Sequence, residues 1–305
     1  MNIATISGLW KYNIQKRTNQ MKTVCFTTTI AIFLFLCSNE IQAQNTQTKL
    51  NPVCLINTEQ FSITSKYVEG ETYVIQVGLP IGYSPDKKSY PVLYVLDGDK
   101  SFGMTKEIAD WLIWSNEIKE IIVVGIRYEQ GWWLKRARDY SHCADTINVK
   151  WVKEAGGADN FLKFVKNELF PVINQNYKTN QDSIALMGLS LGGMLGTYIL
   201  FTQSELFKGY IIIAPSLGWN NNSILKMEDE FYNNHKELNK LVYVAYGSLD
   251  NNKVLVVNPS NDFMQTIQKR NYTGLKFVPE VLEGETHISV YATALTHGLK
   301  TIYKR

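Results

Sequence analysis

From Tyr90 onward the chain alternates between short apolar runs and segments with helical spacing, and this alternation limits its folds more than any other feature. The runs are YPVLYVLDGD, EIIVVGIRY, SIALMGLS, GYIIIAPS, KLVYVAYGSLD and LKFVPEVLEGETH. Short, continuous apolar runs suit strands buried on both faces. Between or after them come FGMTKEIADWLIW, ADNFLKFVKNELFPVINQ, LGGMLGTYILFTQ, NDFMQTIQKRN and SVYATALTHGLKTIYK, whose apolar residues recur with the period of a helix. Strand and helix alternating in this way predict an α/β architecture, a mainly parallel central sheet with helices on both faces. Ahead of it, FSITSKYVEGETYVIQVGLP holds two β-rich runs split at Glu69-Gly70-Glu71, which predicts an antiparallel hairpin at the N-terminal edge. With 305 residues, 45% of them hydrophobic, one large domain over 60–305 is sufficient, and no internal repeat interrupts it.

One of these junctions carries chemistry. In MGLSLGGM, residues 187–194, a lone hydroxyl is flanked by glycines with the spacing Gly188-x-Ser190-x-Gly192. Strand, sharp turn and helix in that order form a nucleophile elbow, so Ser190 is the candidate nucleophile, with a plain helix N-cap as the alternative. A serine hydroxyl needs a base to take its proton and an acid to orient that base. Of four histidines, His287 lies in the loop GETHIS after the last apolar run, where the late histidine of a Ser, Asp/Glu, His order belongs. His142 is the second candidate, whereas His235 sits in a polar segment and His297 within the last helical pattern. Asp250, in the turn GSLDNN, is the candidate acid, with Glu283, Glu285 or a Ser/His dyad as alternatives. An oxyanion would find donors in the Leu191 N–H and in the loop LDGDKSF, where Gly98 and Asp99 stand. Those two residues equally suit a tight strand-to-helix turn with Asp99 as a cap.

The ordered series YPVLYVLDGD, IIVVGIRY, RARDYS, GGADNFLKFVKNELFPVINQNY, IALMGLSLGGMLGTYIL and IIIAPSLGWNN resembles the putative esterase family of α/β hydrolases, from about residue 60 to the C-terminus. The resemblance implies an α/β-hydrolase fold and a serine hydrolase that needs no metal or organic cofactor. Members include feruloyl and acetylxylan esterases, S-formylglutathione hydrolases and esterases of trilactone catecholate siderophores, and LDGD and PSLGW look closest to the last branch. Where the family often reads RDYTP, this chain reads Arg138-Asp139-Tyr140-Ser141-His142. An acyltransferase using the same acyl-serine and a non-catalytic binding protein on the same fold are the alternative readings.

Aromatic side chains suit a flat or lipophilic acyl group. Among Trp111, Trp114, Trp132, Trp133, Trp151 and Trp219, the sequence places Trp132, Trp133 and Trp219 at a rim of the site. RARDYS reads as a loop bordering the site, in which Arg136 or Arg138 holds an anionic substrate group or pairs with Asp139. Residues 219–236 suit a small cap segment. The net charge of +3 is spread with no Lys/Arg cluster beyond short pairs, which leaves nucleic acid out as a partner in favour of a small-molecule ester. No feature fixes the number of subunits. Residues 21–43 read as a signal peptide: a short basic start, the apolar VCFTTTIAIFLFLC and a small residue at Ala43. Residues 1–20 then read as upstream of the true initiator Met21, and 44–59 as a short lead. The expected product is exported, in a periplasm, without stable membrane insertion after cleavage; a lipid anchor on Cys37 is the alternative. Cleavage leaves Cys54 and Cys143, whose spacing alone does not establish a disulfide.

Overall fold

The computed structural model describes residues 53–86, 88–149 and 152–305, and its compact α/β unit runs from Leu55 to Arg305. Residues 1–20, the signal-like segment 21–43, Cys37 and Trp151 lie outside the described residues. The strands are β1 (Thr58–Thr64), β2 (Thr72–Gly78), β3 (Tyr90–Val95), β4 (Ile122–Tyr128), β5 (Thr179–Leu189), β6 (Gly209–Ile213), β7 (Leu241–Gly247) and β8 (Lys276–Leu282). They form one eight-stranded sheet in the order β1-β2-β4-β3-β5-β6-β7-β8. β1 pairs antiparallel with β2, and β2 antiparallel with β4; every pairing from β4 through β3 to β8 is parallel.

The helices are α1 (Gly98–Trp114), α2 (Trp132–Tyr140), α3 (Ala158–Phe164), α4 (Phe170–Asn176), α5 (Leu191–Thr202), α6 (Ser223–Asn234), α7 (Asn258–Arg270) and α8 (Val290–Tyr303). β6 is buried along its whole length, and its period of two decides which helix each residue meets. Ile211 points at Gly298 on α8, while Ile212 points at Gly196 on α5, across the sheet. Helix α5 is buried from Leu191 to Phe201 and apolar all round, as a helix enclosed in the middle of a fold must be. Two π-helical turns, Val165–Leu169 and Lys253–Val257, run directly into helices with proline in the first turn. Proline has no N–H for the regular ladder and its ring crowds the preceding turn, and the wider π turn absorbs both defects.

One expectation changes here. RARDYS is not a loop: Trp132–Tyr140 is helical, and its inward face carries Arg136 and Asp139 beside Ala137 and Tyr140, so charged residues hide the apolar period. The segment 219–236 folds mainly into α6, which packs on α5 through Phe231 against Phe201.

Candidate active site

β5 ends at Leu189, α5 begins at Leu191, and Ser190 joins them with φ 60 and ψ −114. Such a conformation costs a non-glycine residue about 1–3 kcal/mol and persists only where the surroundings impose it. Here β5 and α5 fold back so tightly that a Cβ on Gly188 would stand 2.3 Å from the carbonyl group of Gly192. Any larger residue at 188 would push strand and helix apart. The turn lifts the Ser190 hydroxyl above the carboxyl edge of the sheet, where it lies 3.2 Å from the hydroxyl of Ser216.

His287 and Asp250 come from the ends of neighbouring strands. The loop after β8 is tied to the turn after β7 by the Leu249 N–H, which donates to the Glu285 carbonyl at 2.9 Å. This brings His287 Nδ1 to 2.7 Å from Asp250 Oδ2. The Asp250 carboxylate is fully buried, and its other oxygen accepts the Asn252 N–H at 2.9 Å, so both oxygens have fixed partners. Among the sequence candidates for the acid, Glu283 is exposed and Glu285 accepts hydrogen bonds from Ser289 and Thr293. His297 pairs with Glu280 instead, and His235 stacks on Phe231.

Ser190 and His287 open onto one cavity of about 490 Å³. Its wall is largely apolar: Leu96, Met104, Trp132, Trp133, Leu189, Ile288 and Tyr291, with Lys100 and Arg136 as the cations. Asp97 also lines it, but its carboxylate is committed. Arg136 donates to both oxygens, from Nε at 2.7 Å and Nη2 at 2.9 Å, and Trp132 Nε1 donates at 2.9 Å. Burial works against the guanidinium charge, but the Asp97 carboxylate outweighs it and the pKa of Arg136 is raised. Arg136 also donates to the Leu189 carbonyl at 3.3 Å, which links the ion pair to the strand that carries Ser190.

Several expected site residues stand elsewhere. Arg138 is held by Asp139 at 2.6 Å and Glu71 at 3.0 Å, outside the cavity wall. Trp219 is buried and donates its indole N–H to the Cys143 carbonyl at 2.8 Å, so it packs rather than lining the pocket. Gly98 and Asp99 do not line the cavity either. Gly98 faces Gln76 and Ile126, and the Asp99 carboxylate accepts the Tyr128 N–H at 3.1 Å. Trp111 and Trp114 are exposed on the outer side of α1. Cys54 and Cys143 are free thiols. Reasoning from sequence missed Asp97, Met104, Tyr291 and Ser216; the period of α1 could have flagged Met104, but nothing local announces the others.

His142, the second candidate base, stacks on Tyr198 and meets Ser223 Oγ at 2.8 Å, away from the cavity wall. Its Nδ1 is buried without a hydrogen-bond partner among the described residues. Burial lowers its pKa, with Asp159 opposing. The unfolded chain therefore takes up a proton near the ordinary histidine value, about 6.5, that the folded protein refuses. The stability this represents is complete above that pH and is lost as pH falls below it. Thermal melts from pH 8 to pH 5 should show His142→Phe losing less Tm than the wild type; parallel curves would remove His142 as a source of acid sensitivity.

The model of the family described as "Putative esterase" matches residues 65–286. The chain belongs to that family. The esterase is 28% identical over 246 residues to the ferri-bacillibactin esterase of Bacillus subtilis, covering 76% of this chain and 85% of the relative. It is 28% identical over 283 residues to the siderophore triacetylfusarinine C esterase of Aspergillus fumigatus, covering 83% and 95%. Among solved structures, a BES protein from Bacillus cereus superposes with a TM-score of 0.76 at 33% identity, covering 86% of the esterase and 100% of that chain. The expected α/β-hydrolase fold, with its parallel sheet and antiparallel N-terminal edge, is the one observed, and the protein is a carboxylic ester hydrolase. No helix among the described residues is long and apolar enough to cross a membrane.

Proposed function

We propose that the esterase works through an acyl-Ser190 intermediate on siderophore esters, outside the cytoplasm. The observation that carries the chemistry is the strained Ser190 sharing one cavity with His287, whose Nδ1 is fixed by Asp250 at 2.7 Å. With Nδ1–H donated to the carboxylate, Nε2 is left as the basic nitrogen facing the cavity. Nε2 takes the Ser190 proton as Oγ attacks the ester carbonyl, then gives it to the departing alkoxide. Water, deprotonated by the same nitrogen, attacks the acyl carbon; the Ser190 Oγ–acyl bond then breaks, Nε2 returns the proton to Ser190 Oγ, and the acid is released. The Leu191 N–H, first amide of α5, serves as an oxyanion donor, aided by the positive end of that helix.

For the substrate, the support is an apolar, tryptophan-walled cavity with Lys100 on its wall beside the neutralised Asp97–Arg136 pair, together with relatives named for ferri-bacillibactin and triacetylfusarinine C. Trp132 and Trp133 would pack against a flat ring, and Lys100 would meet its negative charge. Export is supported by the basic-apolar-small order of 21–43 alone. The test compares specificity constants for a catecholate trilactone, methyl ferulate, acetylated xylan and p-nitrophenyl acetate. We expect the trilactone to exceed the simple acetate by about 100-fold, the size of discrimination a well-filled pocket gives. No gain from either aromatic ester would overturn the substrate assignment. Unprocessed protein confined to the cytoplasm would overturn the compartment.

A further inference from the structure

The turn after β6 holds the nucleophile from behind. The Ser190 N–H donates to the Ile213 carbonyl at 2.9 Å, and the Ser216 N–H donates to the Ser190 carbonyl at 3.1 Å. Between them Ala214 takes a left-handed φ of 40, with its own N–H anchored on Ala245 at 2.7 Å. The turn lies so close that a Cβ on Gly193 would come within 2.9 Å of the Ile213 carbonyl oxygen and 3.1 Å of Pro215. Both backbone polar groups of Ser190 are thus bound by residues 213–216, and the 3.2 Å approach of the two hydroxyls is a third tie. Ser216 is 5% exposed and rests on this rigid turn, so its Oγ has a fixed place.

We propose that Ser216 is a positioning residue for Ser190, donating its hydroxyl proton to Ser190 Oγ. A serine oxygen has one proton and two lone pairs. With one lone pair occupied by Ser216, the Ser190 proton is directed to the His287 side and the remaining lone pair to the incoming carbonyl. As attack proceeds, the Ser190 O–H bond breaks, the proton joins His287 Nε2, and the Oγ–carbon bond forms; Ser216 keeps its own proton and supports the oxygen while it carries charge. The same contact supports Ser190 Oγ when it leaves during deacylation. Misplacing a reacting oxygen by about 1 Å costs about a hundredfold in rate even where substrate binding is untouched.

The inference rests on the acyl-Ser190 reading, so the experiment measures both. Fluorophosphonate labelling, mapped by peptide mass, and single-turnover acylation by p-nitrophenyl acetate are compared for wild type, Ser216→Ala, Ser216→Cys and Ser216→Thr. Labelling of the wild type at Ser190 is required by the parent reading, and its absence would overturn that reading and this one together. Given labelling, Ser216→Ala should slow both reactions about 10- to 100-fold with KM unchanged. Ser216→Thr should recover most of the loss, and Ser216→Cys, a weaker donor of similar shape, should fall between. Wild-type acylation in Ser216→Ala would overturn the positioning role alone. So would equal losses in all three variants accompanied by a lowered Tm, because that pattern reports packing and not the hydroxyl.

Discussion

Ser190→Ala should lower ester turnover about a million-fold while leaving the fold intact, since removing a nucleophile from a group that acts as a unit abolishes nearly all of the covalent route. Stability should hold or rise: the substitution removes one hydroxyl and keeps the φ of 60 imposed by the turn around it. The measurement is kcat/KM on p-nitrophenyl acetate beside a urea melt. Activity within tenfold of wild type in a folded variant would rule out Ser190 as nucleophile. Asp250→Asn separates orientation from attack. It preserves the size of the side chain but removes the charge that fixes the His287 tautomer, and turnover should fall by about 10⁴.

Arg136→Met should be the most destabilising single change on the cavity wall, costing about 3–5 kcal/mol, because it strands a buried carboxylate. Asp97 and Arg136 are 7% and 4% exposed, and their two direct hydrogen bonds are the main compensation for taking both charges out of water. Trp132 would still donate to Asp97, which keeps the loss from being larger. Adding Asp97→Asn to Arg136→Met should return part of the stability, since a neutral amide tolerates burial better than an unpaired charge. Urea denaturation of the two single variants and the double variant measures the cycle. A loss below 1 kcal/mol in Arg136→Met would mean that water reaches Asp97 and that the pair is not a strut.

What could be read in the sequence follows from where burial is simple. β3 and β6 are covered on both faces, so apolar runs mark them without ambiguity, and the strand-turn-helix order around Ser190 leaves little choice of geometry. His287 and Asp250 were legible because chain order in a parallel sheet puts the ends of successive strands on one edge. Helix α2 was not legible: a buried Arg136 and Asp139 break the apolar period by which a helix is recognised. Choosing between Arg136 and Arg138 needed that helix, because residues two apart on a helix point about 200° apart. Trp219 was misplaced for a different reason. The chain leaves it through left-handed Asn220, Asn221 and Asn222, and the direction of a side chain beside such a run is set by tertiary contacts, here the Cys143 carbonyl.

Much of the cavity wall comes from one stretch of chain, while Leu189, Ile288 and Tyr291 adjoin the candidate reacting groups. Leu96, Lys100, Met104, Trp132, Trp133 and Arg136 fall within residues 96–136, whereas Ser190 and His287 follow later strands and Asp250 sits behind them. Under the proposed chemistry, substitutions within the block 96–136 can reshape much of this chamber while leaving the hydrogen bond between His287 and Asp250 in place. The Asp97–Arg136 strut marks the seam of that block, and a graft that carries both partners across together keeps the recipient's charge balance whole.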